Sequence, residues 1–135
     1  MTKVFHRLTG PYAELHELKC VLNAIGWGLL LLCFRDQVQV SPAFHAMILF
    51  LPDFYWGISL FTFGIAGLIA YILELNTLRR TLSLAGVCGW SLISYFMFLS
   101  FQPVIGVIVP PLCAIFSAIS YIRLGGFVAE GRYHA

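Results

Sequence analysis

Residues 81–122 read TLSLAGVCGWSLISYFMFLSFQPVIGVIVPPLCAIFSAISYI and contain no charged residue. As a continuous helix, this stretch would extend about 63 Å, which is roughly twice the thickness of the hydrocarbon core of a bilayer. Gln102-Pro103 supplies a polar turn signal near its middle. The stretch therefore predicts a helical hairpin that crosses a membrane twice, with spans at Thr81–Phe101 and Val104–Ile122.

The composition of the whole chain agrees with a membrane environment. Of its 135 residues, 60% are hydrophobic and only 10% are charged, whereas about 25% of the residues in a soluble domain are charged. The net charge is +2 and no run of basic residues is present, so we expect no nucleic-acid partner. We expect the lipid bilayer to surround most of the chain.

Two further apolar stretches precede the hairpin. The first, Cys20–Phe34, would be about 22 Å long as a helix, and it can cross a bilayer if Lys19 and Arg35 extend toward the two interfaces. The polar residues before it have no cleavage site of a signal peptide, so we expect this span to be retained. The second, Phe54–Leu73, begins with three aromatic residues, which are typical of a membrane–water interface.

The segment between these two spans is polar at first and then briefly apolar. Residues 35–40 form a predicted polar link, and Ser41-Pro42 is a signal for the start of a helix. The helix over 41–51 ends before Pro52 and is too short to cross a bilayer. It is therefore predicted to be a short outer helix, either interfacial or re-entrant.

The predicted fold is an all-α integral membrane protein with four transmembrane helices, arranged as two hairpins in a single membrane domain. Basic residues concentrate on the cytoplasmic side of membrane proteins, so residues 1–19 and the tail 123–135 are both predicted to be cytoplasmic. The chain is expected to be a multi-pass protein of a bacterial inner (cytoplasmic) membrane. Seven of its eight basic residues determine this topology, and only Arg35 lies on the outer side. The seven are Lys3, Arg7, Lys19, Arg79, Arg80, Arg123 and Arg132.

No residue pattern predicts catalysis, a cofactor or a metal site. The cysteines are far apart in the sequence and form no C-x-x-C motif, so they are interpreted as small packing residues. No two of the four histidines fall within spans at a matching depth, which argues against haem. We therefore expect neither an enzyme nor a cofactor protein. The cysteines are Cys20, Cys33, Cys88 and Cys113.

Ionisable residues inside a membrane usually mark transport or proton relay. Glu74 is the nearest such residue to a span centre, and we expect it to pair with arginine at the interface, beside Asn76 and Arg79. No span has an ionised residue near its centre, which argues against an ion-coupled transporter.

Small and polar residues within the spans mark contacts between helices. The small ones allow close approach, either within the bundle or in a homo-oligomer. The polar ones could join helices or form a wettable face, and the pair Pro110-Pro111 predicts a helix kink in the fourth span. The candidate packing residues are Gly64, Gly67, Gly86, Gly89, Ala114 and Ala118. The candidate polar residues are Asn23, Ser91, Ser94, Ser117 and Ser120.

Residues 35–53 form most of the part of the chain that is predicted to lie on the outer side of the membrane. This segment is a contact site for a partner, the gate of a pore, or a lid that lies on the bilayer and covers the end of the bundle. Its candidate contact residues are Arg35, Asp36, His45 and Asp53.

From Leu51 onward the chain resembles a loose type of small phage-encoded membrane protein. The features that carry the resemblance are Pro52 with Trp56-Gly57, a glycine-bearing span, Asn76 with Arg79-Arg80, Trp90, a proline that separates the hairpin, and Arg123-Leu124 at its end. Many of these phage proteins have no assigned role, and some resemble holins. The resemblance implies a multi-span membrane protein, and it assigns no catalytic residue to this chain.

Three functions follow from these observations. The leading one is a phage or mobile-element protein that oligomerises and permeabilises the membrane for lysis, as holins do. The alternative is a non-catalytic partner protein that acts in superinfection exclusion, in immunity or as an accessory subunit of a membrane complex. A small transporter is the third, and the lack of a charge near a span centre disfavours it.

Overall fold

The computed structural model describes residues 12–100 and 108–129, with side chains described over 15–100 and 108–125. Within these ranges the protein is helical and has no strand. There are four long helices, and two short helices with a 3-10 turn connect the first long helix to the second. In chain order the elements are α1 (Tyr12–Cys33), α2 (Arg35–Val40), a 3-10 turn (Pro42–Phe44), α3 (His45–Phe50), α4 (Asp53–Ile72), α5 (Asn76–Leu99) and α6 (Val109–Ala129).

Three of the long helices have the length and composition needed to cross a membrane. The qualifying segments are Leu15–Cys33, Asp53–Ile72 and Asn76–Leu99. The fourth, α6, contains a shorter apolar segment at Val109–Gly125. The predicted all-α class is therefore confirmed for the described residues, together with three helices that could span a membrane.

The long helices begin and end at different residues from the predicted spans. α1 starts at Tyr12 and brings the acidic and basic residues before Cys20 into its first turns. α5 starts at Asn76, so Arg79 and Arg80 lie in its first turns instead of in a loop. Apolar runs indicate where lipid begins, but a helix continues past them wherever charged side chains find partners.

Residues 35–50 differ most from the prediction. The expected polar link is the helix α2, and the expected single helix over 41–51 is a 3-10 turn followed by α3. Within this segment three residues are buried, namely Val38, Ala43 and Met47. Their burial against the bundle explains why the segment folds. We call residues 35–50 the cap.

Pro110 and Pro111 lie at the start of a helix, and the predicted kink in the middle of the fourth span is corrected. The described helix α6 begins at Val109, which places both prolines in its first turn. The N–H groups of a first turn have no partner within the helix, so proline fits there without loss. The predicted turn at Gln102-Pro103 and the predicted start of the span at Val104 lie outside the described residues.

The long helices pack as two pairs. α1 packs along α4, and α5 packs along α6. A side chain on Gly64 would place its Cβ 2.6 Å from Cγ1 and 2.9 Å from the backbone nitrogen of Ile25, so this glycine permits the close approach of α1 and α4. Between the pairs, α1 contacts α6 more closely than α4 contacts α5. An apolar groove of about 160 Å³ separates α4 from α5.

Candidate functional site

A polar cluster lies between the two helix pairs, at the end of the bundle where α1 begins. Its centre is an ion pair in which Arg79 Nη2 donates to Glu17 Oε2 at 2.6 Å and Arg79 Nε donates to Oε1 at 2.9 Å. Only 10% of each side chain is exposed. This two-point geometry suits a guanidinium and a carboxylate, and charge-assisted bonds of this kind are stronger than neutral ones.

Two neighbours hold the guanidinium of Arg79 in place. Arg79 Nη1 donates to Oδ1 of Asn76 at 3.2 Å, one turn earlier in α5. The guanidinium carbon also lies 5.1 Å from the centre of the Tyr71 ring, at the end of α4, within the range of a cation–π contact. Arg79 therefore links α1, α4 and α5.

The structure pairs Arg79 with Glu17, which lies 62 residues away in the sequence, and Glu17 was not predicted as a partner. Glu74 is exposed and occupies the turn between α4 and α5 with a positive φ of 52°. The packing of α1 in the bundle brings Glu17 to the arginine.

Three serine hydroxyl groups extend the cluster into the bundle. Ser83 of α5 and Ser117 and Ser120 of α6 are buried. Together with Glu17 and Arg79 they line a cavity of about 20 Å³, which is roughly the space that one water molecule needs. Among these, Ser117 and Ser120 were predicted as polar candidates and Arg79 as an interfacial topology determinant, whereas Glu17 and Ser83 were not assigned to a polar site. We call the five residues the interior cluster.

The cysteines beside the cluster are neighbours in space. The Sγ of Cys20 in α1 donates to the backbone carbonyl of Cys113 in α6 at 3.5 Å, and both residues are buried. Cys33 and Cys88 are exposed. His16, one residue before Glu17, stacks on Phe116 with the ring centres 4.4 Å apart. These contacts join α1 to α6.

The other predicted polar residues do not share one face with the interior cluster. Ser94 donates to the carbonyl of Trp90 in its own helix at 2.6 Å. Ser91 is exposed, and Asn23 is half-buried. The structure therefore separates the five predicted candidates into two that line the cluster and three that do not.

Most of the predicted packing residues face other helices of the same chain. A Cβ on Gly67 would lie 2.8 Å from Val21, and one on Gly86 would lie 2.9 Å from the hydroxyl of Ser117. Ala114 packs against the core, and Ala118 is half-buried. A Cβ on Gly89 would meet open space.

The cap is fastened to the opposite end of the bundle by a second ion pair. Arg35 donates to the two oxygens of Asp53 at 3.1 and 3.4 Å, and Gln39 donates to the same carboxylate at 3.3 Å. The hydrogen bond and the charge of Asp53 raise the pKa of Arg35. Trp56 Nε1 donates to the carbonyl of Met47 at 3.1 Å. Of the predicted contact residues, Arg35 and Asp53 thus form this ion pair, while Asp36 and His45 are exposed.

Basic residues gather at the end of the bundle that holds the interior cluster. The guanidinium carbon of Arg80 lies 5.0 Å from the centre of the Tyr121 ring in α6. Lys19 is exposed and Arg123 is half-buried. The predicted topology determinants Lys3, Arg7 and Arg132 lie outside the described residues.

Comparison with known proteins assigns no family to this chain. No family model, no curated protein and no solved structure matches it. Among the described residues, no group of three histidine, cysteine, aspartate or glutamate side chains is placed to hold a metal ion. The interior cluster, with one ion pair, three hydroxyl groups and space for a water molecule, is the best candidate for a functional site.

Proposed function

We propose that this chain is a four-span protein of a bacterial cytoplasmic membrane, with both ends in the cytoplasm, and that it permeabilises the membrane as a holin-like oligomer. The proposal is supported by the location of the polar groups in the interior of the bundle. The interior cluster is buried between the two helix pairs, and the outward faces of the long helices are apolar, with exposed residues such as Ile69, Leu84 and Ile115.

This arrangement suits a protein that is inert in lipid until it opens. Buried hydroxyl groups and an ion pair cannot face lipid without a large loss of free energy. They can face water, and if the helix pairs separate, the same groups would line an aqueous path. The loose contact of α4 with α5, beside a groove of about 160 Å³, supports the inference that the pairs separate along this side.

The positions of the basic residues support the proposed topology. Arg79 contacts Glu17 in α1, and Arg80 contacts Tyr121 in α6, so these arginines and the N-terminal end of α1 lie at one end of the bundle. By the positive-inside rule that end faces the cytoplasm. The fourth span is then α6, in which Arg123 reaches the same side.

Expression of the chain alone in a bacterium tests this function. We expect the membrane potential, followed with a voltage-sensitive dye, to collapse abruptly after a delay. Co-expression with a phage endolysin should then lyse the cells, because the endolysin needs a route across the membrane. An endolysin expressed without the chain is the control. Steady growth and a stable potential at verified membrane levels would contradict the proposal.

A second function is favoured by the cap. Val40 and Leu49 are 80% and 74% exposed on a segment that the Arg35–Asp53 ion pair holds in place, so the cap could present a preformed surface to another membrane protein. If the chain leaves the potential intact, recovery of one partner by cross-linking at Leu49, and its loss on Val40→Ser with Leu49→Ser, would support this function.

A further inference from the structure

We propose that the ion pair between Glu17 and Arg79 is a latch that holds the two helix pairs together and keeps water out of the interior cluster. The inference rests on the proposed function, because it names the contact that controls the opening. Glu17 belongs to the α1–α4 pair, and Arg79 belongs to the α5–α6 pair, so the ion pair crosses the boundary that has to separate.

The ion pair is a stronger polar contact across this boundary than the hydrogen bond of the Cys20 thiol. Its two bonds, at 2.6 and 2.9 Å, compare with one thiol bond of 3.5 Å from Cys20 to Cys113. At the other end of the bundle, Trp27 of α1 meets Trp90 of α5 edge-on, with ring centres 6.3 Å apart. The attraction within an ion pair weakens greatly when water of high dielectric constant reaches it, so the Glu17–Arg79 contact is sensitive to hydration of the boundary.

Burial makes the ion pair effective as a latch. With 10% of each side chain exposed, the charges attract each other in a medium of low dielectric constant. Loss of the Glu17 charge leaves the guanidinium of Arg79 in the bundle without that carboxylate. Removal of one member of a buried ion pair is strongly destabilising. Entry of water between the helix pairs relieves this loss, because water hydrates the guanidinium.

Cys20 reports on the state of the boundary. It is buried beside the cluster, and a thiol reacts with a maleimide only as the thiolate, which forms in water and not in an apolar interior. In a variant with Cys33, Cys88 and Cys113 changed to Ala, Cys20 is the single thiol. Its bond to position 113 is kept, because the acceptor is the backbone carbonyl.

The experiment measures the rate at which N-ethylmaleimide labels Cys20 in membranes of cells that express this variant. We expect slow labelling in the parent and labelling faster by about tenfold or more after Glu17→Gln, since breaking a buried ion pair shifts an equilibrium by at least that factor. Glu74→Gln is the matched control, because it makes the same chemical change at an exposed carboxylate, and it should leave the rate unchanged. Glu17→Arg combined with Arg79→Glu rebuilds the ion pair in reverse and should restore slow labelling.

The outcomes separate the latch from the proposed function. If Glu17→Gln labels as slowly as the parent, the latch is wrong, whether or not the parent permeabilises cells. If labelling accelerates and the membrane potential never collapses, the latch stands and the permeabilising function fails. If Glu17→Gln does not accumulate in membranes, the reversed pair decides: fast labelling of that variant at normal levels would overturn the latch, and slow labelling would support it.

Discussion

The thiol of Cys20 lies against the backbone carbonyl of Cys113, with the sulfur and the oxygen 3.5 Å apart, although 93 residues separate them in the sequence. Both residues are buried. This contact ties the first long helix to the last one. It was not foreseen, because cysteines so far apart show no spacing that indicates a pair.

The contact predicts a specific cross-link. Treatment of membranes with a membrane-permeant oxidant should join Cys20 to Cys113 within one chain, because the sulfur of Cys20 already lies 3.5 Å from the backbone of Cys113. The measurement is mass spectrometry of the linked peptides. Cys113→Ala should abolish the product, while Cys33→Ala with Cys88→Ala, at two exposed positions, should leave it. A chain that links only Cys33 or Cys88, between molecules, would contradict the packing of α1 on α6.

A second prediction concerns the interface of α1 with α4. Gly64→Ala should lower the free energy of unfolding in detergent by about 1–3 kcal/mol, as overpacking of a filled interior does, because its Cβ would lie 2.6 Å from Ile25. Gly26→Ala is the matched control on the facing helix, since its Cβ would have nothing within 4 Å. That change should be neutral or slightly stabilising, because alanine favours a helix over glycine. Equal effects of the two changes would mean that Gly64 does not face α1.

Much of the fold follows from local composition, and the interior cluster does not. Apolar runs indicate α4 and α5 because lipid requires a long helix without charge. The partner of Arg79 depends on how α1 packs, which no local pattern specifies. A signal was nevertheless present: Glu17 lies three, four and seven residues before Cys20, Val21 and Ala24, all of them buried. That spacing places a carboxylate on the buried face of a helix.

The two prolines of α6 are a case in which a sequence signal was recognised but interpreted wrongly. Pro110-Pro111 was interpreted within a continuous apolar run, where a proline pair implies a kink. The structure begins the helix at Val109, and there the same prolines start a helix instead of bending one. Apolarity alone does not show where a helix begins inside a long apolar run, because lipid accepts an apolar residue both at the start of a helix and in its middle.

A third prediction tests the number of spans and their direction. Alkaline phosphatase, which is active only outside the cytoplasm, should be active when fused after Ser41 in the cap and inactive when fused after Glu74 in the turn between α4 and α5. A fusion at the C-terminus should also be inactive, because in the proposed four-span topology α6 returns the chain to the cytoplasm. Activity of both the Ser41 fusion and the C-terminal fusion would indicate that α6 does not cross, and activity after Glu74 would reverse the orientation.

The last prediction concerns the hydroxyl groups of the interior cluster. If Ser83, Ser117 and Ser120 line an aqueous path when the helix pairs separate, their replacement by Ala should make the open state less favourable. The loss is about 1 kcal/mol for each hydroxyl group that water no longer hydrates. In the closed state, where the groups are buried, the same change has a smaller effect. We therefore expect the triple variant to reach the membrane normally and to collapse the potential up to roughly a hundredfold more slowly, or not at all.

The control is Ser91→Ala with Ser94→Ala. These serines lie on α5 as Ser83 does, but Ser91 is exposed and Ser94 donates to its own helix at Trp90. Both variants are compared by the delay before the potential collapses, at membrane levels matched by immunoblot. A delay in the control equal to that in the triple variant would show that the effect comes from general loss of hydroxyl groups. An unchanged delay before collapse in the triple variant would show that the interior cluster does not line the aqueous path. Loss of three hydroxyl groups that line an open pore should slow the formation of the pore.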